Sequence, residues 1–234
     1  MLRGVSFTIQ PGEKVAIVGA TGAGKSTMMS LLTRFYDVQR GAILVDGVPI
    51  TQLPQRELRR HVGLMLQDPF IYTDSVLENV RLRDHSITEA RVIEAARAVG
   101  AATFIERLPE GYATMLAERG ANLSTGQKQL IALARVAAFD PEIVLVMDEA
   151  TASIDPETEA VIQSGIERVT TNRTSIIIAH RLNTIRAVSR ILVLHRGQLV
   201  EDGTHEELLA QGGYYHRLYE LQYRAQGAAG AGTH

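Results

Sequence analysis

Eight residues near the start of the chain, Gly19-Ala20-Thr21-Gly22-Ala23-Gly24-Lys25-Ser26, combine three glycines with a lysine and a hydroxyl, and Thr27 follows them. They come directly after the apolar run Val15–Val18. Glycines let successive backbone N–H groups turn inward around an anion, and a helix opening at Lys25 adds its positive end. Lys25 can reach the β and γ oxygens of a nucleoside triphosphate, and the Ser26 hydroxyl can ligate Mg2+. This is the P-loop pattern, set between a strand and a helix as its chemistry requires. Alone it does not choose among kinases, GTPases and transport ATPases, although the guanine-reading Asn-Lys-x-Asp stretch usual in GTPases does not occur.

A second site follows more than a hundred residues later. Ile143-Val-Leu-Val-Met147 is an apolar run that ends in Asp148 and Glu149. A strand ending there would deliver Asp148 beside the phosphate loop, where it can hold Mg2+ directly or through water. Glu149 stands next in line to orient and deprotonate an attacking water. Two acids in these roles favour hydrolysis over phosphoryl transfer to a bound metabolite.

Between the two lies Leu123-Ser124-Thr125-Gly126-Gln127, ahead of a long helical stretch. Ser124 can cap that helix, while Gly126 and the neighbouring amides offer donors to an anion. Taken alone, the run fits a plain helix start as well as an anion site. Together with the P-loop and the acidic pair it resembles the ATP-binding cassette family, whose signature is Leu-Ser-Gly-Gly-Gln. Other stations occur in the family's order. Gln67 matches the glutamine that senses Mg2+ and the membrane partner, Ser153-Ile154-Asp155 resembles the D-loop, and His180 matches the histidine that contacts the γ-phosphate. His195 also ends a strand-like run but matches no motif, and is expected at the surface.

The resemblance covers roughly Leu2 to Arg224. It implies an α/β P-loop NTPase with a RecA-like parallel sheet core, an antiparallel β subdomain and a helical signature subdomain. It also implies ATP and Mg2+ as ligands, with Ser26, Gln67 and Asp148 around the metal. Glu149, His180 and Gln67 would serve hydrolysis. Ser124, Thr125, Gly126, Gln127 and Asp155 would face the ATP of a second such domain, in a head-to-tail dimer of like or unlike chains. Glu118-Arg119-Gly120 resembles the X-loop of exporters, and Gly203-Thr204-His205-Glu206-Glu207-Leu208 through Tyr214-Tyr215 resembles the end of an exporter half. Such proteins carry a transmembrane domain, normally N-terminal on the same polypeptide, and work at the cytoplasmic face of the membrane.

Around these residues, short β-rich runs alternate with helical patterns, which points to a wound α/β sheet. Gly4–Ile9, Lys14–Val18, Ala42–Asp46 and Val62–Leu66 read as strands, as do the more apolar Ile143–Met147, Ser175–Ala179 and Ile191–Leu194. Lys25–Arg34 reads as the first helix. From about 74 to 139 only helices are expected, at Ser75–Leu82, Thr88–Val99 and Ser124–Ala138, as an insertion in the core. Glu206–Leu209 and Tyr214–Arg224 suggest closing helices, so that 1–224 forms one cassette domain and 225–234 a flexible Gly/Ala tail.

Composition sets the bounds. The chain has 234 residues, 45% hydrophobic and 21% charged, with formal net charge −2, an ordinary globular balance. Without cysteine there is no disulfide framework and no thiol-based zinc site. The near-neutral charge argues against nucleic acid as a partner. No run approaches the roughly 18 apolar residues of a membrane helix, so the chain alone reads as soluble and intracellular.

Two departures from the family pattern carry expectations. The aromatic residue on which the family stacks adenine lies upstream of the Leu2–Ile9 equivalent, so weak adenine affinity and little preference over GTP are expected in titrations. The missing first strand would also leave a sheet edge unpaired. Thr125 stands where the signature has glycine, and a β-branched side chain there restricts approach to a phosphate. With Glu149 intact, the chain's own P-loop site reads as complete and the site it covers for a partner as weakened, as in half of a heterodimer. Two other readings compete. A soluble cassette ATPase of DNA repair or the ribosome would use the same motifs, and a P-loop metabolite kinase would need no signature.

Overall fold

The computed structural model describes residues 2–66, 68–148, 154–179 and 182–221. In chain order the elements are β1 (Lys14–Val18), α1 (Lys25–Leu32), β2 (Leu44–Val45), β3 (Val48–Pro49), α2 (Gln55–His61), β4 (Val62–Met65), α3 (Val76–Arg81), α4 (Glu89–Ala98) and α5 (Ala102–Ile105). They continue with α6 (Thr125–Phe139), β5 (Ile143–Asp148), α7 (Pro156–Thr170), β6 (Thr174–Ala179), α8 (Leu182–Arg186), β7 (Arg190–His195), β8 (Gln198–Gly203), α9 (His205–Ala210) and α10 (214–221). The residues fall into two compact units, Met1–Leu58 with Asp148–Ala150 and Thr174–His234, and Arg59–Met147 with Thr151–Arg173.

In the first unit β1 is flanked by β6 and β7, both parallel to it, and β8 closes antiparallel on β7. Val15, Ala16, Ile17, Ile191, Leu192 and Val193 have no exposed surface. A parallel strand covered on both faces must be apolar along its whole length, which is why these runs do not alternate. Each buried Val, Ile or Leu side chain among them stabilises the fold by about 1.5–3 kcal/mol relative to exposure. β8 does alternate, half-buried against exposed, and its polar half hid it from the sequence reading. The antiparallel element of this unit is small. β2 and β3 pair around Asp46-Gly47, which both take positive φ (49° and 78°), the geometry a two-residue type I′ hairpin demands.

The strand expected at Gly4–Ile9 does not form. Val5, Phe7 and Ile9 are half-buried while Ser6 and Thr8 are exposed, which is the period of a strand. Among the described residues, however, no ladder partner pairs with the segment. Alternation sets an extended chain, and a strand needs a neighbour as well. The segment is tied instead by the Arg3 amide donating to the Gly197 carbonyl (2.7 Å) and by Arg190 donating to the Thr8 carbonyl (2.8 Å).

In the second unit β4 and β5 pair in parallel. Helix α6 packs against β4, α3, α4 and α7. It is buried nearly all round, as Leu130, Ile131, Ala132, Leu133, Ala134, Val136 and Ala138 show, so it is the core rod of this unit. α6 and α7 each run 15 residues, and α7 is a helix that the sequence reading did not anticipate. Among the described residues no helix is long and apolar enough to cross a membrane.

Helix α10 is fastened by side chains. The half-buried Glu201 carboxylate of β8 accepts the amides of Tyr214 and Tyr215, the latter at 2.8 Å, and so caps α10. His195, expected at the surface, is half-buried, with its ring 4.3 Å from that of Tyr214. Tyr215 is almost wholly buried and its hydroxyl meets His205 Nδ1 at 2.7 Å. Glu201→Ala therefore costs about 1–2 kcal/mol through two orphaned amides. Hydrogen exchange should show protection lost across 214–221 while β7 stays protected, and unchanged protection there would remove Glu201 from the role.

Candidate functional site: a phosphate loop and a capped helix start

The loop between β1 and α1 is pulled tight by its own lysine. Lys25 is only 7% exposed, and its ammonium donates to the Gly19 carbonyl at 2.6 Å and the Ala20 carbonyl at 3.2 Å. The Ala23 amide donates back to Ala20, and Gly197 donates to Ala23, both at 3.0 Å, which anchors the loop to the β7–β8 turn. Gly24 takes φ 110°, open only to glycine without strain. At Gly19 a Cβ would collide with the Leu194 carbonyl of the neighbouring strand. Thr21, Gly22, Ser26 and Thr27 lie exposed.

The start of α1 differs from other helix starts of this chain. Ser75, Thr88, Ser124, Asp155 and Thr204 each cap a helix (α3, α4, α6, α7 and α9) by accepting an amide two or three residues into it. α1 begins at Gly24 with no side-chain cap and no acidic residue in its first turn. Its leading N–H groups face a loop shaped by glycines, which is the geometry of an anion site.

In the second unit the Leu123–Gln127 run forms a complete capping box. Ser124 Oγ accepts the Gln127 amide at 3.2 Å, and Gln127 Oε1 accepts the Ser124 amide at 2.9 Å. Leu123 is buried beneath it, while Ser124 and Thr125 are exposed. Gly126 is buried for a reason invisible in the sequence. A Cβ there would collide with Thr158 Cγ2 of α7 and lie 3.5 Å from Ile154 Cγ2. Asp155 caps α7 by accepting the Thr158 amide at 2.9 Å, and this bond holds its carboxyl below the usual carboxylate range. The second unit thus brings Gly126 together with Ile154 and Thr158 beside the Asp155 cap, and Thr158 had no signal in the sequence beyond its place three residues after Asp155.

Gly19–Thr27 belongs to the first unit, and Ser124–Gln127 and Asp155 to the second. Asp148 is the last residue of β5, with its side chain outside the described residues. Gln67, Glu149 and His180 also lie outside them.

Two expectations follow from this geometry. Gly126→Ala forces a methyl group into Thr158 and destabilises by about 1–3 kcal/mol, whereas Thr125→Gly leaves packing untouched. A denaturation midpoint of Gly126→Ala equal to that of the wild type would show that α6 and α7 yield. Asp155 has a lowered folded-state pKa, so its contribution is present above the ordinary carboxylate pKa and is lost as pH falls through the folded value. The thermal midpoint of Asp155→Asn should therefore vary less than wild type between about pH 5 and 2. Parallel curves would contradict this.

Comparison with known proteins agrees with this geometry. The family profile described as ABC transporter matches residues 2–152. The chain is 50% identical over 222 residues to the "Probable multidrug resistance ABC transporter ATP-binding/permease protein YheH" of Bacillus subtilis (strain 168), covering 95% of this chain and 33% of that protein. It is 45% identical over 222 residues to the "ATP-dependent lipid A-core flippase" of Chromobacterium violaceum, covering 95% of this chain and 38% of that one. Among solved structures, a bacterial Atm1-family ABC exporter with ATP bound aligns with TM-score 0.87 and 43% identity, over 95% of this chain and 39% of that chain. The chain thus spans between a third and two-fifths of the length of these proteins. The profile spans more than half of the residues, and the chain belongs to the ABC transporter family.

Proposed function

We propose that this chain is the ATP-binding and ATP-hydrolysing domain of an exporter, paired head to tail with a second such domain. The observation that carries this reading is the uncapped start of α1, set behind a glycine loop that Lys25 holds in shape. Triphosphate oxygens would take the amides of Gly22–Ser26 and draw the Lys25 ammonium away from the Gly19 and Ala20 carbonyls. Lysine suits the task because its ammonium is a compact charge with three rotatable donors.

The donor set fits Mg2+, which takes hard oxygen ligands. Ser26 exposes a hydroxyl on the first turn of α1, and Gln67 and Asp148 would complete the set. Bound there, the metal would neutralise charge between the β and γ phosphates. Glu149 would take a proton from the attacking water, and Gln67 and His180 would hold the γ-phosphate in line.

The partner's phosphate would meet the exposed start of α6 at Ser124, Thr125, Gly126 and Gln127, with Asp155 beside it. Thr125 adds bulk to that face, which supports a partner of different sequence whose signature serves this chain's own site. The cassette would span 1–224, with 74–139 as its helical subdomain. The permease named in its relative supports a membrane-spanning partner segment and a place at the cytoplasmic face.

Lys25→Ala should weaken ATP affinity at least tenfold, or about 1.4 kcal/mol. Glu149→Gln should abolish phosphate release while ATP still brings two chains together, as light scattering would register. Undiminished phosphate release by Glu149→Gln in the absence of any acceptor would sink the hydrolytic reading.

A further inference from the structure

A buried polar node ties helix α6 to the segment that follows Gln67. Asn79, on α3, has no exposed surface, and its side chain satisfies the segment almost alone. Its Oδ1 accepts the Tyr72 amide at 2.8 Å, and its Nδ2 faces the carbonyls of Tyr72, Asp74 and Ser75 at 3.0, 3.3 and 3.0 Å. Arg135, on α6, reaches the same place from the other side. Its Nε donates to the Asn79 carbonyl at 3.0 Å and its Nη2 to the Phe70 carbonyl at 3.2 Å. Among the described residues no carboxylate pairs with this guanidinium, and its surroundings disfavour the charge by desolvation. A half-buried cation that binds only carbonyls is an expensive way to add stability. What it supplies is geometry, because a planar fork bridges two backbone segments that a lysine could not hold together.

The segment so held has a defined pattern. Ile71 is 1% exposed and packs on Gly120, where a Cβ would come within 3.1 Å of its side chain. Phe70 and Tyr72 point outward, 54% and 51% exposed, with ring centroids 4.8 Å apart in an edge-on pair. The remaining ties lie further along, where Val76 and Leu116 amides fasten Asp74–Val76 to Thr114–Leu116. Residues 70–72 depend on Asn79, Arg135 and the Ile71 contact.

We propose that Arg135 and Asn79 are positioning residues that lock the Phe70–Tyr72 pair to α6, so that movement of the capped Ser124 end is carried to that pair. Arg135 lies eleven residues from Ser124, so a stiff helix spans the distance, about 16 Å. The transmission rests on the reading of Ser124–Gln127 as the face of a partner's ATP; the lock itself does not.

The chain has no tryptophan, so Phe70→Trp places a single fluorescent reporter on the segment. Acrylamide quenching and anisotropy of the introduced indole would be measured with and without MgATP, in that background and with Arg135→Lys, Arg135→Met or Asn79→Ala added. Binding of a fluorescent ATP analogue and far-UV circular dichroism would be followed in parallel. The expected result is a two- to three-fold rise in quenching in all three variants and loss of the MgATP-dependent change. Nucleotide affinity should stay within two-fold and helicity unchanged. Unaltered quenching in Arg135→Lys and Asn79→Ala would overturn the lock. So would quenching that rises only together with loss of nucleotide binding and helicity, which is general unfolding. An indole signal blind to MgATP in a parent that binds it would overturn the transmission. A parent that binds no nucleotide would defeat the functional reading, and the quenching comparison would still decide the lock.

Discussion

The first four N–H groups of a helix have no partner within it, and something must satisfy them. Side-chain oxygens of Ser75, Thr88, Ser124, Asp155 and Thr204 close five helix starts from within the protein. At α1 a glycine stands where such an oxygen would be, and no side chain caps the start. The rest of the first unit serves that opening. β1 must be rigid and covered to aim the loop, so it is apolar and buried from Val15 to Val18. Its neighbours β6 and β7 must be parallel to it, which places their connecting helices outside the strand layer. The loop itself is braced to Leu194 and Gly197 at the end of β7, so the phosphate site inherits its stiffness from the sheet.

The second unit meets the same constraint in the opposite way. Ser124 spends its hydroxyl on the Gln127 amide, so α6 begins as a closed and well-ordered start with its polar end exposed. A capped end presents a fixed surface rather than an open pocket. That suits a part that covers an anion held elsewhere better than one that grips it.

Much of this was legible because it is local. A glycine loop after an apolar run, a serine three residues before a glutamine, and an apolar strand ending at Asp148 are patterns within about ten residues. What escaped was mostly set by distant contacts. Gly4–Ile9 has the right alternation but no neighbour to pair with among the described residues. Pro156–Thr170 has a local start signal in Asp155-Pro156, but the same aspartate fits the D-loop pattern, which masks its role as a cap. Asn79 and Arg135 bond mainly to backbone carbonyls, and Arg135 reaches groups 56 and 65 residues away. Backbone acceptors leave no residue-type signature, so no motif could have announced this node.

The two middle positions of the signature separate what the fold demands from what the function demands. Both are glycine in the family pattern, and here only the second is. Gly126 is fixed by the close approach of α7 at Thr158, a packing requirement that any side chain would violate. Position 125 carries no such demand. It sits exposed on the first turn of α6 in ordinary helical conformation, and threonine fits there without displacing a neighbour. The fold therefore supplies no reason for glycine at 125, and any reason must come from what approaches that face. A change at 125 alters only an exposed face of α6, whereas a change at 126 disturbs the contact between α6 and α7.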